Sequence, residues 1–450
     1  MILSGKRIVI PRGSSGTGSG TAPAAARDKA NVVTSSRTDR IEAAPGILPR
    51  ATEGHVCPTA GDGIFSGIDR RAFLLALGTF AIGTDAFIIA GVLPEISSSL
   101  SSSVGATGLV VSVFSVAYAF GSPVVSSVSA RWRRSTVLIG GLGVFALANL
   151  LSAASPTLVI LLASRILAAL SAGLVAPAAY ALASTFGESR NRGKNLAVIA
   201  AGFTSAMVLG VPIGVFLSQY GGWRGSLIFV AVLGTIAAVS MFWAGVPESQ
   251  SQKAAPDLRH QWRVVANTQT IFALVPFLIW STANFGLYTF IAAILRRSLP
   301  ATVVPLLLLL FGLGAVAGNF IGGVLSDRFG TRKPVIICLT LLVCALAGIE
   351  FTSSSLTAAG VNMIAWAILM AALFTLQQQR AILIDPAQSN LLLALNNSAL
   401  YLGAAIGSAA LGAVISEMSF AFVSPISAGV AALSLVALLF MPLRDQETRQ

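Results

Sequence analysis

Along most of this chain apolar positions do not alternate with polar ones. They run unbroken for about twenty residues at a time, as in GTFAIGTDAFIIAGVLP (78–94), VLIGGLGVFALANLLSAAS (137–155) and SLIFVAVLGTIAAVSMFWAGVP (226–247). A helix rises about 1.5 Å per residue, so roughly twenty apolar residues cross a ~30 Å hydrocarbon core. Strands of a membrane barrel would instead be about ten residues of alternating polarity. The pattern predicts an all-α membrane protein with twelve helices, over roughly 72–94, 105–127, 135–155, 157–180, 195–218, 225–246, 269–294, 302–325, 334–352, 357–378, 391–415 and 423–443. A very tight turn at Ser155-Pro156 separates the third from the fourth.

The first 68 residues differ. They are rich in Gly, Ser, Ala and Pro and hold no apolar run longer than IVI. Such a stretch has no signal-peptide core and too little apolar surface to fold, so it reads as a disordered cytoplasmic tail. The expected plan is a six-helix half over 69–247, a central cytoplasmic loop over 248–268, a second six-helix half over 269–443, and a short cytoplasmic tail over 444–450.

Composition and charge sharpen this. The chain is 55% hydrophobic and 10% charged, against about 25% charged in soluble proteins. The net charge of +12 does not imply nucleic acid, because the basic residues lie in short loops between apolar runs. Cytoplasmic loops collect Lys and Arg. One side of the alternation holds Arg70, Arg71, Arg131, Arg133, Arg134, Arg190, Arg192, Lys194, Lys253, Arg259, Arg263, Arg328, Arg332, Lys333, Arg380, Arg444 and Arg449; the other holds Arg224, Arg296 and Arg297. Both termini are therefore expected in the cytoplasm, with the chain in the inner membrane and the lipid bilayer as its solvent. Cys57, Cys338 and Cys344 have no metal or disulfide spacing. No G-x-x-x-x-G-K-[ST] phosphate loop occurs. No metal or cofactor is expected.

The two halves repeat. VVSVFSVAYAFGSPVVSSVSARW (110–132) lies over LLLLFGLGAVAGNFIGGVLSDRF (307–329), matching Phe114 with Phe311, Gly121 with Gly318, Ser129 with Ser326 and Arg131 with Arg328. LGVPIG (209–214) lies over LGAAIG (402–407), and TDAF (84–87) over TANF (282–285). Each pair keeps its in–out direction, so the halves are parallel repeats about an axis along the membrane normal.

GGVLSDRFGTRK (322–333) resembles the loop signature G-x-x-x-D-R-x-G-R-[RK] of the major facilitator superfamily, carried here on Gly323, Asp327, Arg328, Gly330, Arg332 and Lys333. Gly323 would permit close helix approach, and the acid and cations could form an ion-pair latch between halves. The plain alternative is a basic loop that only sets topology. The first-half copy, SSVSARWRRS (126–135), keeps Arg131, Arg133 and Arg134 but lacks the acid.

FAIGTDAFIIAGVLPEIS (80–97), VLGVPIGVFLSQYGGWRGSLIF (208–229) and LFGLGAVAGNFIGGVLSDRFG (310–330) are similar to the superfamily's bacterial drug/proton antiporter branch of sugar, purine-nucleoside and chloramphenicol exporters. The likeness covers about 70–443. It implies two pseudo-symmetric six-helix halves and a monomer that exports a small organic compound against protons. Gly210, Pro212 and Gly214 resemble that branch's export motif. As residues alone they describe a bendable helix with a flat face, equally compatible with plain packing.

Asp85 and Arg165 are the two charges well inside predicted spans. Such groups are costly and face interiors or partners. From the span ends, both lie roughly 12–14 Å from the outer boundary, so they can meet. The resemblance makes Arg165 the fourth-helix arginine linked to proton coupling, with Asp85 as the protonatable carboxylate. A static structural ion pair is the alternative. The branch usually places its acid directly before the phenylalanine, where this chain has Ala86. One residue is about 100° of rotation, which would turn Asp85 toward a neighbouring helix rather than a cavity. Tyr118, Asn284, Tyr288, Asn397 and Tyr401 are candidates for a substrate cavity, against helix–helix hydrogen bonding for each.

These readings favour a secondary transporter. An importer or uniporter of a small metabolite is the alternative within that class. A polytopic membrane enzyme fits poorly, because His55 and His260 lie outside the spans and leave no intramembrane nucleophile–base cluster.

Overall fold

A computed structural model describes residues 68–129, 131–186, 191–245 and 267–440, plus three short strands nearer the start. The strands, β1 (Arg7–Pro11), β2 (Asn31–Ser35) and β3 (Ile41–Glu42), pair in that order, β1 with β2 parallel and β2 with β3 antiparallel. They belong to a unit of their own, Met1–Ser66. The rest of the tail expected over 1–68 lies outside the described residues, as do His55, Cys57, most of the central loop with His260, and the segment 444–450.

The larger unit is helical. In chain order the helices are α1 (Arg70–Ser99), α2 (Val104–Ser129), α3 (Arg134–Ala154), α4 (Leu158–Ala183), α5 (192–221) and α6 (223–243). The second set is α7 (Thr268–Thr289), α8 (Val304–Phe329), α9 (Arg332–Thr352), α10 (Leu356–Ile384), α11 (Ser389–Glu417) and α12 (Val423–Phe440). Among the described residues eleven helical segments are long and apolar enough to cross a membrane, and one of them, Arg192–Trp243, is two spans in line. Gly222 divides it at φ 62°, ψ −176°, a backbone conformation that glycine adopts without a Cβ clash. Twelve spans result, as the hydrophobic runs predict.

Local chemistry sets the ends. Asp69 accepts from the Arg71 amide at 2.9 Å and starts α1; Thr157, just past the Ser155-Pro156 turn, caps α4. These side chains satisfy amides that an opening helical turn leaves without partners. One expectation needs correcting. Arg380 sits in α10 rather than in a loop, buried, with its guanidinium donating to Gln377 Oε1 at 3.3 Å. Hydropathy marks the hydrocarbon boundary, whereas a helix can continue beyond it on its own hydrogen bonds.

Within the first half α1 packs on α5, and α2 and α3 pack on α4; the second half repeats this with α7 on α11 and α8 and α9 on α10. The halves meet along α2 against α11 and α5 against α8. The end bearing the α2–α3, α4–α5 and α8–α9 turns carries the Arg and Lys residues and is called here the basic end. At the opposite end the halves are closed: a Cβ on Gly105 would overlap the Gly412 carbonyl, and Arg296 donates to Glu95 Oε1 at 2.6 Å. Toward the basic end the ties between them run out: among the described residues the last hydrogen bond between α2 and α11 runs from Ser398 to the Ala119 carbonyl.

Candidate functional site

The two intramembrane charges meet. Arg165 Nη1 donates to Asp85 Oδ1 at 2.8 Å and Nη2 to Oδ2 at 2.9 Å, a two-pronged pairing. Asp85 is 0% and Arg165 1% exposed. A planar guanidinium fork matches a carboxylate, and charge-assisted bonds of this kind are the strong ones. They must be, because removing both charges from water costs several kcal/mol per ion. Asn149 of α3 accepts a third bond from Nη1 at 3.3 Å, and the Phe114 ring of α2 lies 4.6 Å from the guanidinium carbon. Among the described residues Arg165 Nε has no hydrogen-bond partner. Sequence depth brings the pair together correctly, but Asn149 and Phe114 were not singled out as site residues. Phe114 left one trace, its repeat match with Phe311.

That match has a structural counterpart. In the second half Trp366 of α10 donates from Nε1 to Asn284 Oδ1 of α7 at 2.6 Å. Phe311 packs against Trp366 at 5.1 Å between ring centres, as Phe114 packs on Arg165. One half thus holds an ion pair under a phenylalanine, the other a neutral hydrogen bond under a phenylalanine. The remaining repeats also superpose by contact: Gly210 abuts Thr84 and Gly403 abuts Ser281 and Thr282, so closely that a Cβ on either glycine would overlap a hydroxyl. The repeated LG-x-x-IG and T-x-x-F segments are therefore the two sides of one interface, built twice.

Gly210 and Gly214 do provide a flat face, against Thr84 and Ile88 of α1, one residue before and three residues after Asp85. A π-helical turn, Ala206–Gly210, precedes Pro212. Its extra residue per turn shifts the rotation of α5 at that level. Pro212 itself lines an apolar groove between α5 and α8.

A narrow cavity of about 20 Å³ lies between the halves, walled by α1, α2, α7 and α11. Ala86, Phe87, Ser115, Phe285, Tyr288, Thr289 and Tyr401 are among its lining residues. Asp85 is not; the single-residue offset turns the carboxylate to α4 and leaves Ala86 on the wall, as the rotation argument expects. Of the five polar candidates, Tyr288 and Tyr401 line the cavity. Tyr118 stacks on Tyr401 at 4.1 Å and is hydrogen-bonded with Asn397, at the contact between halves. Asn284 is tied to Trp366 and is fully buried, so it serves a helix–helix hydrogen bond. Sequence reasoning did not single out Phe87 and Phe285, whose rings stack 6.2 Å apart across the halves.

The loop signature sits at the basic end. Gly330, at φ 68°, ends α8, Arg328 lies in its last turn, and Arg332 and Lys333 open α9. Cations near a helix C-terminus meet its partial negative charge favourably. Asp327 is exposed and makes no ion pair among the described residues, so no latch through it joins the halves in this arrangement. Gly323 is corrected: a Cβ there would meet nothing within 4 Å. Gly314, Gly318 and Gly322 instead form the stripe against α10, the last with Ala372 Cα 2.9 Å from its notional Cβ. Spacing of four keeps a stripe on one face, and Gly323 is rotated off it. Among the described residues no group of three or more His, Cys, Asp or Glu could hold a metal ion.

Comparison with known proteins agrees with this architecture. A family model described as Major Facilitator Superfamily matches residues 75–381 and 295–450. The Inner membrane transport protein YdhP of Escherichia coli K12 is 33% identical over 377 residues, covering 83% of this chain and 95% of that protein. A Chloramphenicol resistance protein of Streptomyces lividans is 33% identical over 262 residues, 57% of this chain and 66% of that one. Among solved structures, the nucleoside transporter NupG aligns with TM-score 0.69 at 13% identity over 82% of this chain and 98% of its own. The xylose transporter XylE of E. coli aligns with TM-score 0.66 at 14% identity over 84% and 98%. At these identities the structures speak for the fold alone.

Proposed function

Since the chain belongs to the major facilitator superfamily, a family of multi-pass membrane transporters, we propose that it is a proton-coupled exporter of a small organic compound in the inner membrane. The bias of Lys and Arg toward cytoplasmic loops puts the basic end in the cytoplasm, and both termini with it. The observation that carries this reading is the sealed two-pronged pair of Asp85 and Arg165 beside the cavity between the halves. A lone carboxylate in apolar surroundings is relieved of its cost by taking a proton, whereas a paired one is held charged. Separating the pair while the outer end is open admits a proton to Asp85. Restoring it as the bundle opens inward expels the proton to the cytoplasm.

The arrangement described above fits the second state: closed at the outer end, without a hydrogen bond from α2 to α11 past Ala119 toward the basic end, with the pair made and Asp327 in no ion pair among the described residues. When the halves rock the other way, Asp327, Arg328, Arg332 and Lys333 supply the latch at the cytoplasmic face. The relative named for chloramphenicol resistance supports export of a drug-like solute. Accumulation of such a compound in cells lacking their native exporters tests this reading. Expression of the chain is expected to lower accumulation, and an uncoupler to restore it. Unchanged accumulation after uncoupling rejects proton coupling.

A further inference from the structure

We infer that the cavity between the halves takes an uncharged solute with a flat aromatic face and a few hydrogen-bonding groups, and refuses organic cations and anions. The inference rests on the cavity being the substrate site, as proposed above. Its walls carry no Asp, Glu, His, Lys or Arg. Four rings, of Phe87, Phe285, Tyr288 and Tyr401, converge on it from both halves, and Phe87 meets Phe285 face to face and Tyr288 edge to face. Rings in these two orientations offer both stacking and edge contacts to a planar guest. The hydrogen-bonding groups there are hydroxyls, those of Ser115, Thr289, Tyr288 and Tyr401, each able to donate or accept.

The charges nearest in sequence, Asp85 and Arg165, are not available to a guest. Both are 1% exposed or less and satisfy each other, with Asp85 turned away from the wall that Ala86 forms. A cation entering would surrender its hydration and find no carboxylate; ring faces return only a small part of that loss. An anion would find no guanidinium. A sugar would leave most of its hydroxyls unpaired against rings and methyl groups. At about 20 Å³ the space is closed to a guest in this arrangement, and the rings must part to admit one.

Counterflow in proteoliposomes of the full chain reads selectivity without requiring any coupling. The uncharged aromatic probes are chloramphenicol and adenosine; the charged ones are ethidium, tetraphenylphosphonium and benzoate; xylose is the polar uncharged one. At least one uncharged aromatic probe is expected to exchange at ten or more times the rate of every other probe. Equal exchange of a charged probe or of xylose, or no exchange of either aromatic uncharged probe, overturns the inference. Ala86→Asp, and separately Ser115→Asp, place a carboxylate on the wall and are expected to admit ethidium; if both variants exchange the aromatic uncharged probe and still refuse ethidium, charge is not what the cavity reads. An imposed membrane potential at fixed pH then separates the two ideas. Exchange of an uncharged solute for a proton moves one charge per turnover, so the potential should drive it. Selective counterflow with no response to potential or pH gradient leaves the cavity assignment standing and removes the coupling.

Discussion

The guanidinium carbon of Arg165 lies 4.6 Å from the centre of the Phe114 ring, and Phe114 in turn stacks on Tyr118 at 6.3 Å. Tyr118 meets Tyr401 across the halves at 4.1 Å. The buried ion pair is thus joined by side-chain contacts to the seam that must open when the halves rock. A cation over a ring face is worth about 2 kcal/mol when desolvated. Phe114→Leu, which keeps the apolar bulk and removes the ring, is expected to slow proton-driven export roughly tenfold and to shift its pH profile. Phe114→Tyr should restore both. Transport at several pH values checks this; an unshifted profile in Phe114→Leu reduces the ring to packing.

Asp85→Asn is expected to abolish uphill export while leaving counterflow. Arg165→Ala should be worse, because removing one partner of a buried pair costs about 3–5 kcal/mol and strands the other charge. The double variant Asp85→Asn, Arg165→Gln strands no charge and should melt closer to the parent than Arg165→Ala does. Melting curves give the order, and a double-mutant cycle gives the coupling. Uphill export by Asp85→Asn with a normal pH dependence would make the pair structural.

At the outer end Glu95 and Arg296 join the halves across 2.6 Å, at 27% and 31% side-chain exposure. Pairs this accessible contribute about 0–1 kcal/mol. Glu95→Gln should therefore shift the balance toward the outward-open state by no more than about fivefold. Asp327→Asn should shift it the other way. Accessibility of a single cysteine on each face, in a background without Cys57, Cys338 and Cys344, measures the two shifts; shifts of the same sign would refute opposed latches.

The same cysteine-free background tests orientation. Ser99→Cys, in the last turn of α1, should react with an impermeant thiol reagent from the periplasm, and Ser189→Cys, between α4 and α5 in the sequence, should not. Labelling of both from one side would invert or break the span order.

Gly210→Ala places a methyl group against the Thr84 hydroxyl. Overpacking of this kind costs about 1–3 kcal/mol, and here it pushes α1 at the level of Asp85. A fall in melting temperature together with slower transport is expected. Gly143→Ala, where a Cβ would meet nothing, is the control. Equal melting of the two variants would mean the interface yields without cost.

Much of this was legible in the sequence, for reasons that are themselves physical. The hydrocarbon thickness fixes the length of an apolar run, so twelve spans could be counted without a fold; even Gly222, hidden inside one long helical segment, was bracketed by runs on either side. A gene-level repeat leaves matching letters, so Gly210 with Gly403 and Thr84 with Thr282 marked the halves. The matched depths of Asp85 and Arg165 followed from a constant rise per residue. What the sequence could not carry was rotation about each helix axis and the choice of neighbour. Gly323 and Gly322 are adjacent letters, yet packing against α10 uses the second and ignores the first. Asn284 and Tyr288 are both polar groups in one span, and only the tertiary structure buries one under Trp366 and gives the other to the cavity. Which end of the bundle is closed depends on contacts between halves, Gly105 with Gly412 and Glu95 with Arg296, whose residues stand hundreds of positions apart. Periodicity constrains a helix against its solvent; only packing against the other half decides which of two nearly equivalent arrangements it occupies.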